Sequence, residues 1–325
     1  MGKKNHITKN YIRRADIFAD IVNYQLFHGR QRIRPEDLQE KDITELLAAY
    51  PDITEIVSKE KLRDILKSCI LKSTDGYDIL IIGIESQSDI HYAMPVRNLV
   101  YDAINYASQA EEIARKHRKN RDLRNEEFLS GFSRKDRLVP VITITVYLGS
   151  HTWDAPRSLH EMFEVQDTSI LQYVDNYHPN LLTPDEIENY DDFHTQFGRV
   201  MQFIAASNDR QKLSQVLADE RFQRIERDAA AVLEVCTDIK IPRQQEVEGG
   251  INMCKAWEDQ YMIGRSEGQE DGRKEGRKEG RLEGIEEAKI TIFQNMIRRG
   301  FQMEEARTLA ELSEEQAKKI LSEMK

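Results

Sequence analysis

The fold of this chain depends on the stretch Tyr77-Asp-Ile-Leu-Ile-Ile-Gly-Ile-Glu-Ser-Gln-Ser88, an apolar run that ends in polar residues. Such a run is typical of a buried β-strand. Side chains alternate between the two faces of a strand, and Glu85 and Gln87 therefore share one face. We expect the end of this strand to present both polar groups to a ligand.

The segment before this strand predicts its antiparallel partner. Residues 62–72 form a second strand in this interpretation, and Ser73-Thr-Asp-Gly76 has the Asp-Gly signature of a hairpin turn. A four-residue turn sets Lys72 opposite Tyr77. The same register pairs Asp64 with Glu85, so the sequence predicts two carboxylates that face each other across the ladder.

Two opposed carboxylates indicate a cation between them. Directly opposed Cβ atoms lie roughly 4.5 to 5.5 Å apart, and like charges at that distance destabilise the sheet. Mg²⁺ takes hard oxygen ligands, usually one or two protein carboxylates, and completes its shell with water and substrate phosphate. We therefore predict that Asp64 and Glu85 bind Mg²⁺, with Mn²⁺ or Ca²⁺ as alternatives, and that Gln87 orients a water or a phosphate oxygen.

Further motifs follow this D…E-x-Q arrangement: an M-x-x-R-x-x-x-Y pattern at Met94, Arg97 and Tyr101, the apolar residues 139–149, and then Trp153 and Pro156. Together they resemble the bacterial recombination-promoting nucleases, also called YhgA-like transposases, of the PD-(D/E)XK nuclease superfamily. The resemblance extends from about Asp16 to the Gly-rich tail. Its most specific part is the combination of E-x-Q with M-x-x-R-x-x-x-Y.

The resemblance implies a metal-dependent DNA endonuclease that serves DNA recombination or mobile elements. It implies an α/β (α+β) fold, a restriction-endonuclease-like core with a mixed central sheet flanked by helices. Asp64 and Glu85 stand in the two metal-binding positions, and Gln87 stands where the superfamily has a Lys. Since Gln is neutral, more of the charge neutralisation would fall on the metal.

An acidic residue on the first helix is a third candidate ligand. Residues 10–24 carry apolar side chains at helical spacing, and Asp20 lies on this helix. The superfamily's first core helix can lend a carboxylate to the metal site, which makes Asp20 a candidate. The alternative is a solvent-facing residue on the polar side of the helix. Asp64 and Glu85 themselves could be ordinary residues at strand ends.

Basic residues follow on the next predicted helix, which runs from Met94 to about residue 118. Arg97 could contact a phosphate or form an intramolecular ion pair. Residues 115–137 carry nine Lys or Arg against four acids. This excess is equally compatible with contact to DNA phosphates and with a solvated loop. The predicted DNA contacts besides Arg97 are Arg115, Lys116, Arg118, Lys119 and Arg121.

The remaining core and the C-terminal half are predicted from periodicity. Residues 138–148 are too continuously apolar for an exposed element and predict a buried strand. Thr183-Pro-Asp-Glu186 predicts the start of a helix, with further helices to about residue 235 that cover the sheet. We predict a nuclease-like domain over residues 1–245, with its core at about 10–160 and a helical cover at about 161–245.

The tail differs from the domain in composition. Glycines recur every four residues from Gly264 to Gly284, and each costs a helix roughly 1 kcal/mol relative to Ala. Residues 246–284 are therefore a flexible linker or an arm for self-association or nucleic acid. Residues 285–325 predict a small helical tail, with a helix that stops at Gly300 and a capping box at Ser313-Glu-Glu-Gln316. This end could join two copies of the chain.

Composition limits the remaining classes. The chain has 325 residues, a formal net charge of −10 and three isolated cysteines. No apolar stretch approaches the ~20 residues of a membrane span, and the cysteines suit a reducing cytosol. We expect a cytoplasmic protein, nucleoid-associated if it binds DNA, with no membrane partner. The competing hypothesis to an enzyme is a DNA-binding or oligomerising scaffold that keeps the nuclease fold without catalysis.

Overall fold

The computed structural model of the protein describes residues 3–41, 65–73, 76–237, 239–241 and 246–324. The chain forms two compact units, Met1–Trp257 and Glu258–Lys325. Asp64, the predicted first metal ligand, lies outside the described residues.

The described residues contain both strands and helices. The strands are β1 (Leu38–Glu40), β2 (Ile65–Ser73), β3 (Gly76–Gln87), β4 (Val141–Tyr147), β5 (Asn180–Leu182), β6 (Glu246–Val247) and β7 (Gly250–Ile251). The helices are α1 (Lys3–Arg13), α2 (Ala15–Phe27), α3 (Met94–Asn120), α4 (Asn125–Ser130), α5 (Thr168–Leu171), α6 (Phe197–Ala206), α7 (Arg210–Val216), α8 (Arg227–Thr237), α9 (Met253–Arg298), α10 (Met303–Leu309) and α11 (Glu314–Glu323). Of the helices in these ranges, none combines the length and apolarity that crossing a membrane requires.

A five-stranded mixed sheet organises the first unit. Its strand order is β1-β2-β3-β4-β5, with β1, β2 and β3 antiparallel and β3, β4 and β5 parallel. The parallel pair β3 and β4 needs a crossover connection, and α3 lies within it. Helices flank this sheet, and the predicted mixed α+β class is confirmed.

The hairpin of β2 and β3 has the predicted register. Pairing runs from Ile65 opposite Ile84 to Ser73 opposite Gly76, and it sets Lys72 opposite Tyr77. The strands reach one residue further into the turn at each end than predicted, because the pairing persists up to the Asp-Gly position. The buried strand predicted at 138–148 is also confirmed, as β4.

The two faces of the sheet differ in chemistry. One face carries Ile82 and Ile84 of β3, which are fully buried in the main core together with residues of α1, α2, α6 and α8. The opposite face carries Glu85 of β3 and Thr143 and Thr145 of β4, and α3 hydrogen-bonds to it. These three polar residues are as buried as the isoleucines. The sheet is therefore apolar toward one helical layer and polar toward the other.

Lys67 of β2 belongs to the apolar face. It pairs with Ile82, is 3% exposed, and its Nζ donates to the Arg13 carbonyl at 2.8 Å and lies 5.0 Å from the centre of the Phe18 ring. Burial lowers the pKa of this amine. Lys67 therefore points away from the face of Glu85 and anchors α1 and α2 to the sheet.

The prediction of one continuous helix over residues 10–24 is wrong. The chain forms two helices there, α1 and α2, that separate at Arg14, where the backbone is extended with ψ 135°. Arg14 forms ion pairs with Asp16 at 2.6 Å and with Glu226 at 2.8 Å. The break therefore directs the guanidinium to the start of α8, a long-range contact that the helical pattern does not reveal.

The helix predicted to begin at 183 starts later. The segment Pro184–Glu186 is a single 3₁₀ turn, and the helix with the apolar stripe begins at Phe197. A second 3₁₀ turn, Tyr190–Asp192, follows, and Asp20 then accepts hydrogen bonds from the backbone N–H groups of His194 and Thr195 just before the helix. Helices then continue to Thr237, as predicted.

The second unit is helical. The Gly repeat lies within α9, a helix of 46 residues, and a Cβ added at any of its six glycines from Gly264 to Gly284 meets nothing within 4 Å. The predicted stop of this helix at Gly300 and the capping box at Ser313 and Gln316 are both confirmed. Phe293, Ala306 and Ala317 lie at the centre of a small core.

Candidate active site

Glu85 is the centre of the candidate site. It lies near the carboxyl end of β3, and its side chain is 1% exposed. Its Oε1 accepts a hydrogen bond from the Gln87 Nε2 at 2.8 Å and a short, charged one from the Arg97 Nη2. Glu85 and Gln87 therefore share one face, as predicted, and are in contact. The positively charged group beside them is the Arg97 guanidinium.

Arg97 links α3 to this carboxylate. Its Nη2 reaches Glu85, and its Nε donates to the Tyr101 hydroxyl at 2.8 Å. The Arg97 side chain is 21% exposed, so the pair has one buried end and one end near solvent. The structure thus shows the intramolecular ion pair that was one of the two predicted roles of Arg97. Tyr101 lies one helical turn after Arg97, where its hydroxyl can accept from the guanidinium.

A buried polar layer continues along α3 beyond this ion pair. Asn98 Nδ2 donates to the Thr145 hydroxyl at 2.8 Å. Asp102 accepts from the Thr143 hydroxyl at 2.5 Å and from the Tyr177 hydroxyl at 2.7 Å. Buried polar groups that are hydrogen-bonded in networks fix one arrangement of the elements that carry them. The layer therefore sets the position of α3, and with it the reach of Arg97.

Sequence reasoning missed this layer, although two signals mark it. Thr143 and Thr145 alternate with apolar residues in β4, which is the period of one strand face. Asn98 and Asp102 are one helical turn apart, next to the Arg97 and Tyr101 pair. Read together, the two stripes predict a polar interface between a helix and a sheet, which is uncommon enough to mark a site.

The carboxyl ends of β3 and β4 meet in an acidic environment. Burial raises the pKa of Tyr147 at the end of β4, and the negative charges of Asp89, Asp185 and Asp154 raise it further. These carboxylates therefore lie near enough to act on the phenol.

Asp20 is buried, with 2% of its surface exposed, and its carboxylate accepts hydrogen bonds from the loop before α6. Its Oδ1 accepts from the His194 N–H at 2.9 Å, and its Oδ2 accepts from the Thr195 N–H at 2.8 Å and from the Thr195 hydroxyl at 2.6 Å. The alternative of a solvent-facing residue is wrong, because burial excludes it. The predicted role of Asp20 as a metal ligand stays a prediction, and it competes with these hydrogen bonds.

We expect Asp20→Asn to destabilise the fold by about 1 to 3 kcal/mol, because an amide nitrogen then faces backbone N–H donors. Urea unfolding with and without Mg²⁺ measures the loss. Asp16→Asn, on the same helix, is the control with a smaller expected effect, since Asp16 pairs near the surface with Arg14. A loss that appears only when Mg²⁺ is present would show that Asp20 binds the metal instead.

The predicted DNA-contacting residues lie at the far end of α3. Arg115, Lys116, Arg118, Lys119 and Arg121 are all exposed. Lys116 pairs with Glu112 at 2.8 Å and Arg118 with Glu111, both at the surface. At 1.5 Å per residue, roughly 30 Å of helix separate Arg97 from Arg118. The structure therefore places the basic residues away from Glu85 rather than beside it.

His117 ties the segment after α3 back onto that helix. Its Nδ1 lies 2.7 Å from Asp122 Oδ1, and its Nε2 lies 2.9 Å from Asp136 Oδ2. Asp136 also accepts from the Ser133 N–H at 2.6 Å. The hydrogen bonds to Asp122 and then to Asp136 raise the pKa of His117 above its ordinary 6.5. The His117 ring thus bridges two carboxylates that lie 14 residues apart in sequence.

An NMR titration of the full chain should give His117 a pKa above 6.5. Because the folded state holds the proton more tightly, this stabilisation is complete below about pH 6.5 and is lost as the pH rises through the folded value. Asp122→Asn and Asp136→Asn should each lower the pKa, whereas Glu126→Gln, an exposed carboxylate of the same segment, should not. An unchanged pKa in both Asn variants would contradict the bridge.

Among the described residues, no group of three His, Cys, Asp or Glu side chains is placed to hold a metal ion. The fold and site define a mixed α+β protein with a buried carboxylate and an arginine at a polar sheet face. Comparison of the chain with protein-family models, curated proteins and solved structures gave no match.

Proposed function

We propose that this chain is a metal-dependent DNA endonuclease that hydrolyses phosphodiester bonds, with a core of the PD-(D/E)XK type. The observation that carries the proposal is Glu85, a buried carboxylate at the end of a central strand, in contact with Gln87 two residues on. The β2–β3 register, continued by one residue beyond Ile65 and Ile84, would pair Asp64 with Glu85. That pair is the proposed metal-binding pair.

The donor set fits Mg²⁺ in its chemistry. Asp64 and Glu85 would hold the ion as hard oxygen ligands, and the acidic surroundings of Tyr147 favour a divalent cation at this edge. When bound, Mg²⁺ neutralises charge on the phosphodiester and promotes the ionisation of water. Mn²⁺ or Ca²⁺ would meet the same ligands.

Gln87 and Arg97 have separate roles in the proposal. Gln87 donates one N–H of its amide to Glu85, and its carbonyl oxygen would accept a hydrogen bond from the attacking water. Arg97 pairs with Glu85 in the structure, and with a divalent cation on that carboxylate the guanidinium would be available to bind the scissile phosphate through two parallel hydrogen bonds. Its partly exposed side chain leaves room for that contact.

The basic end of α3 would hold DNA at a distance from the cut. The roughly 30 Å between Arg97 and Arg118 is close to one turn of a duplex, about 34 Å. Arg115, Lys116, Lys119 and Arg121 add charge at the same end, and phosphate contacts of this kind give affinity without sequence preference. We therefore propose DNA as the substrate and place no sequence specificity in these contacts.

Cleavage of supercoiled plasmid by the purified full chain tests the proposal. The reaction is run with Mg²⁺, Mn²⁺, Ca²⁺ or EDTA, beside Asp64→Ala and Glu85→Ala. Metal-dependent nicking that both variants lose supports the assignment and the ligand pair together. Activity that survives in both variants would place the site elsewhere, and inactivity with every metal would overturn the proposal.

One observation favours a second candidate, a DNA-binding scaffold without catalysis. Arg97 already neutralises Glu85, as expected of a site in which a guanidinium has taken the place of a metal. Calorimetric titration with Mg²⁺ separates the two functions. A nuclease binds the ion at Glu85 and loses that binding in Glu85→Ala, whereas a scaffold gives no Glu85-dependent binding.

We further propose that the second unit joins two copies of the chain. The helix α9 exposes Leu282, Ile285 and Ile292 along part of its length, and its glycine stripe would admit a second backbone closely. Sedimentation of the full chain reports the oligomeric state. A monomer at every concentration would leave α9 as an arm without this role.

A further inference from the structure

A cavity of about 430 Å³ opens where α3 ends and α4 begins. Apolar atoms of Ala114, Leu123 and Phe128 line it, and Arg118 and Arg121 stand with them at the wall. Ligand sites in proteins typically measure about 300 to 1,000 Å³, and they combine apolar walls with a few polar groups in this way. The cavity lies outside the proposed active site, since roughly 30 Å of α3 separate the two.

The walls of the cavity are held by specific contacts. His117 bridges Asp122 and Asp136, which fixes the segment that follows α3 against the helix. Gly131 ends α4 with φ +67°, and a Cβ there would lie 2.9 Å from the Cβ of Ala114. Only glycine allows both this backbone conformation and this approach. These contacts fix the backbone on two sides of the cavity.

Phe128 gives the cavity an aromatic wall that also faces solvent. Its side chain lines the cavity and is 69% exposed. Exposure of a phenyl ring costs hydrophobic free energy, and an exposed ring beside cations is typical of a surface that stacks on a ligand. Arg115, Lys119 and Arg124 are exposed in the same segment, whereas Lys116 and Arg118 pair with Glu112 and Glu111. Residues 115–137 as a whole keep an excess of basic residues.

We propose that this cavity binds an unpaired base of single-stranded DNA. The base stacks on Phe128 against the apolar wall, and the flanking phosphates lie on Arg118 and Arg121. A base paired within a duplex has no free face to offer a pocket, whereas every unpaired base does. This inference rests on the proposed function, because its ligand is DNA. It adds a preference for DNA with single-stranded regions or strand ends.

The test measures the affinity of the full chain for a labelled oligothymidylate and for a labelled duplex by fluorescence anisotropy, in EDTA. Phe128→Ala should weaken single-strand binding by about tenfold, within the range that stacking on an aromatic side chain contributes. Phe128→Trp should retain the affinity, because it keeps an aromatic face. Duplex affinity should change by about twofold or less in either variant.

The neighbouring residue gives a matched control. Leu129 is 86% exposed and lies outside the cavity wall, so Leu129→Ala should leave single-strand affinity within about twofold. Arg121→Ala should weaken the binding of both DNA ligands. It should also reduce the slope of log affinity against log salt concentration by about 1.

The inference is overturned if Phe128→Ala and Leu129→Ala weaken binding equally, if duplex binding falls with single-strand binding, or if the wild type does not bind the oligothymidylate. Affinity is measured without divalent cations, so failure of the cleavage assay leaves this result standing.

Discussion

Glu85→Gln is expected to lower the rate of metal-dependent DNA cleavage by about a thousandfold, because the metal's contribution to catalysis is worth several kcal/mol. The substitution keeps the shape of the side chain, and Oε1 can still accept from Gln87 and Arg97. It removes the negative charge that a divalent cation requires. Plasmid nicking gives the rate, and calorimetric titration with Mg²⁺ gives the accompanying loss of affinity.

Glu164→Gln serves as the control for this variant, since Glu164 is an exposed carboxylate outside the candidate site. It should cleave like the wild type. Circular dichroism must show that Glu85→Gln remains folded at the assay temperature. If the folded variant retains wild-type cleavage and Mg²⁺ affinity, Glu85 is a structural carboxylate and the proposed site is wrong.

Arg97→Met should have the largest effect on stability, a loss of about 3 to 5 kcal/mol in the free energy of unfolding. The substitution keeps much of the side-chain volume but leaves a carboxylate that is 1% exposed without its guanidinium partner. Taking a charge out of water is costly when its counter-charge is removed. Urea unfolding in EDTA measures the loss.

Mg²⁺ should restore part of this stability, because the ion replaces the missing positive charge beside Glu85. The melting temperature of Arg97→Met should therefore rise more with Mg²⁺ than that of the wild type. The double variant Glu85→Gln/Arg97→Met should lose less than the sum of the single variants. Additive losses would show that Glu85 and Arg97 do not act as a pair, and an absent Mg²⁺ response would favour the scaffold.

The local features of the fold could be predicted from sequence because they depend on neighbouring residues. The Asp-Gly dipeptide of the sequence predicts a tight turn, which fixes the residues that pair on either side of it, so the register of β2 and β3 could be predicted. Alternation then assigned Glu85 to one face. The capping box at Ser313 and the stop at Gly300 are similarly local.

The predictions that were wrong or incomplete concern contacts between distant residues. Arg14 interrupts a continuous helical pattern. Its guanidinium binds Glu226, a residue 212 positions away in sequence. Asp20 looks like any polar residue on a helix until the loop at Thr195, 175 residues further on, covers it. Neither partner is marked by periodicity or spacing in the sequence.

For this protein the sequence by itself determined the strand that carries Glu85 and Gln87, its register with β2 and the basic character of residues 115–137. Only the tertiary structure decided that Arg97 neutralises Glu85, that Asp102 joins Thr143 and Tyr177, and that the basic end of α3 carries its own cavity. The physical reason is that turns, alternation and charge are properties of short segments. Burial and pairing of charges arise only when distant segments pack together.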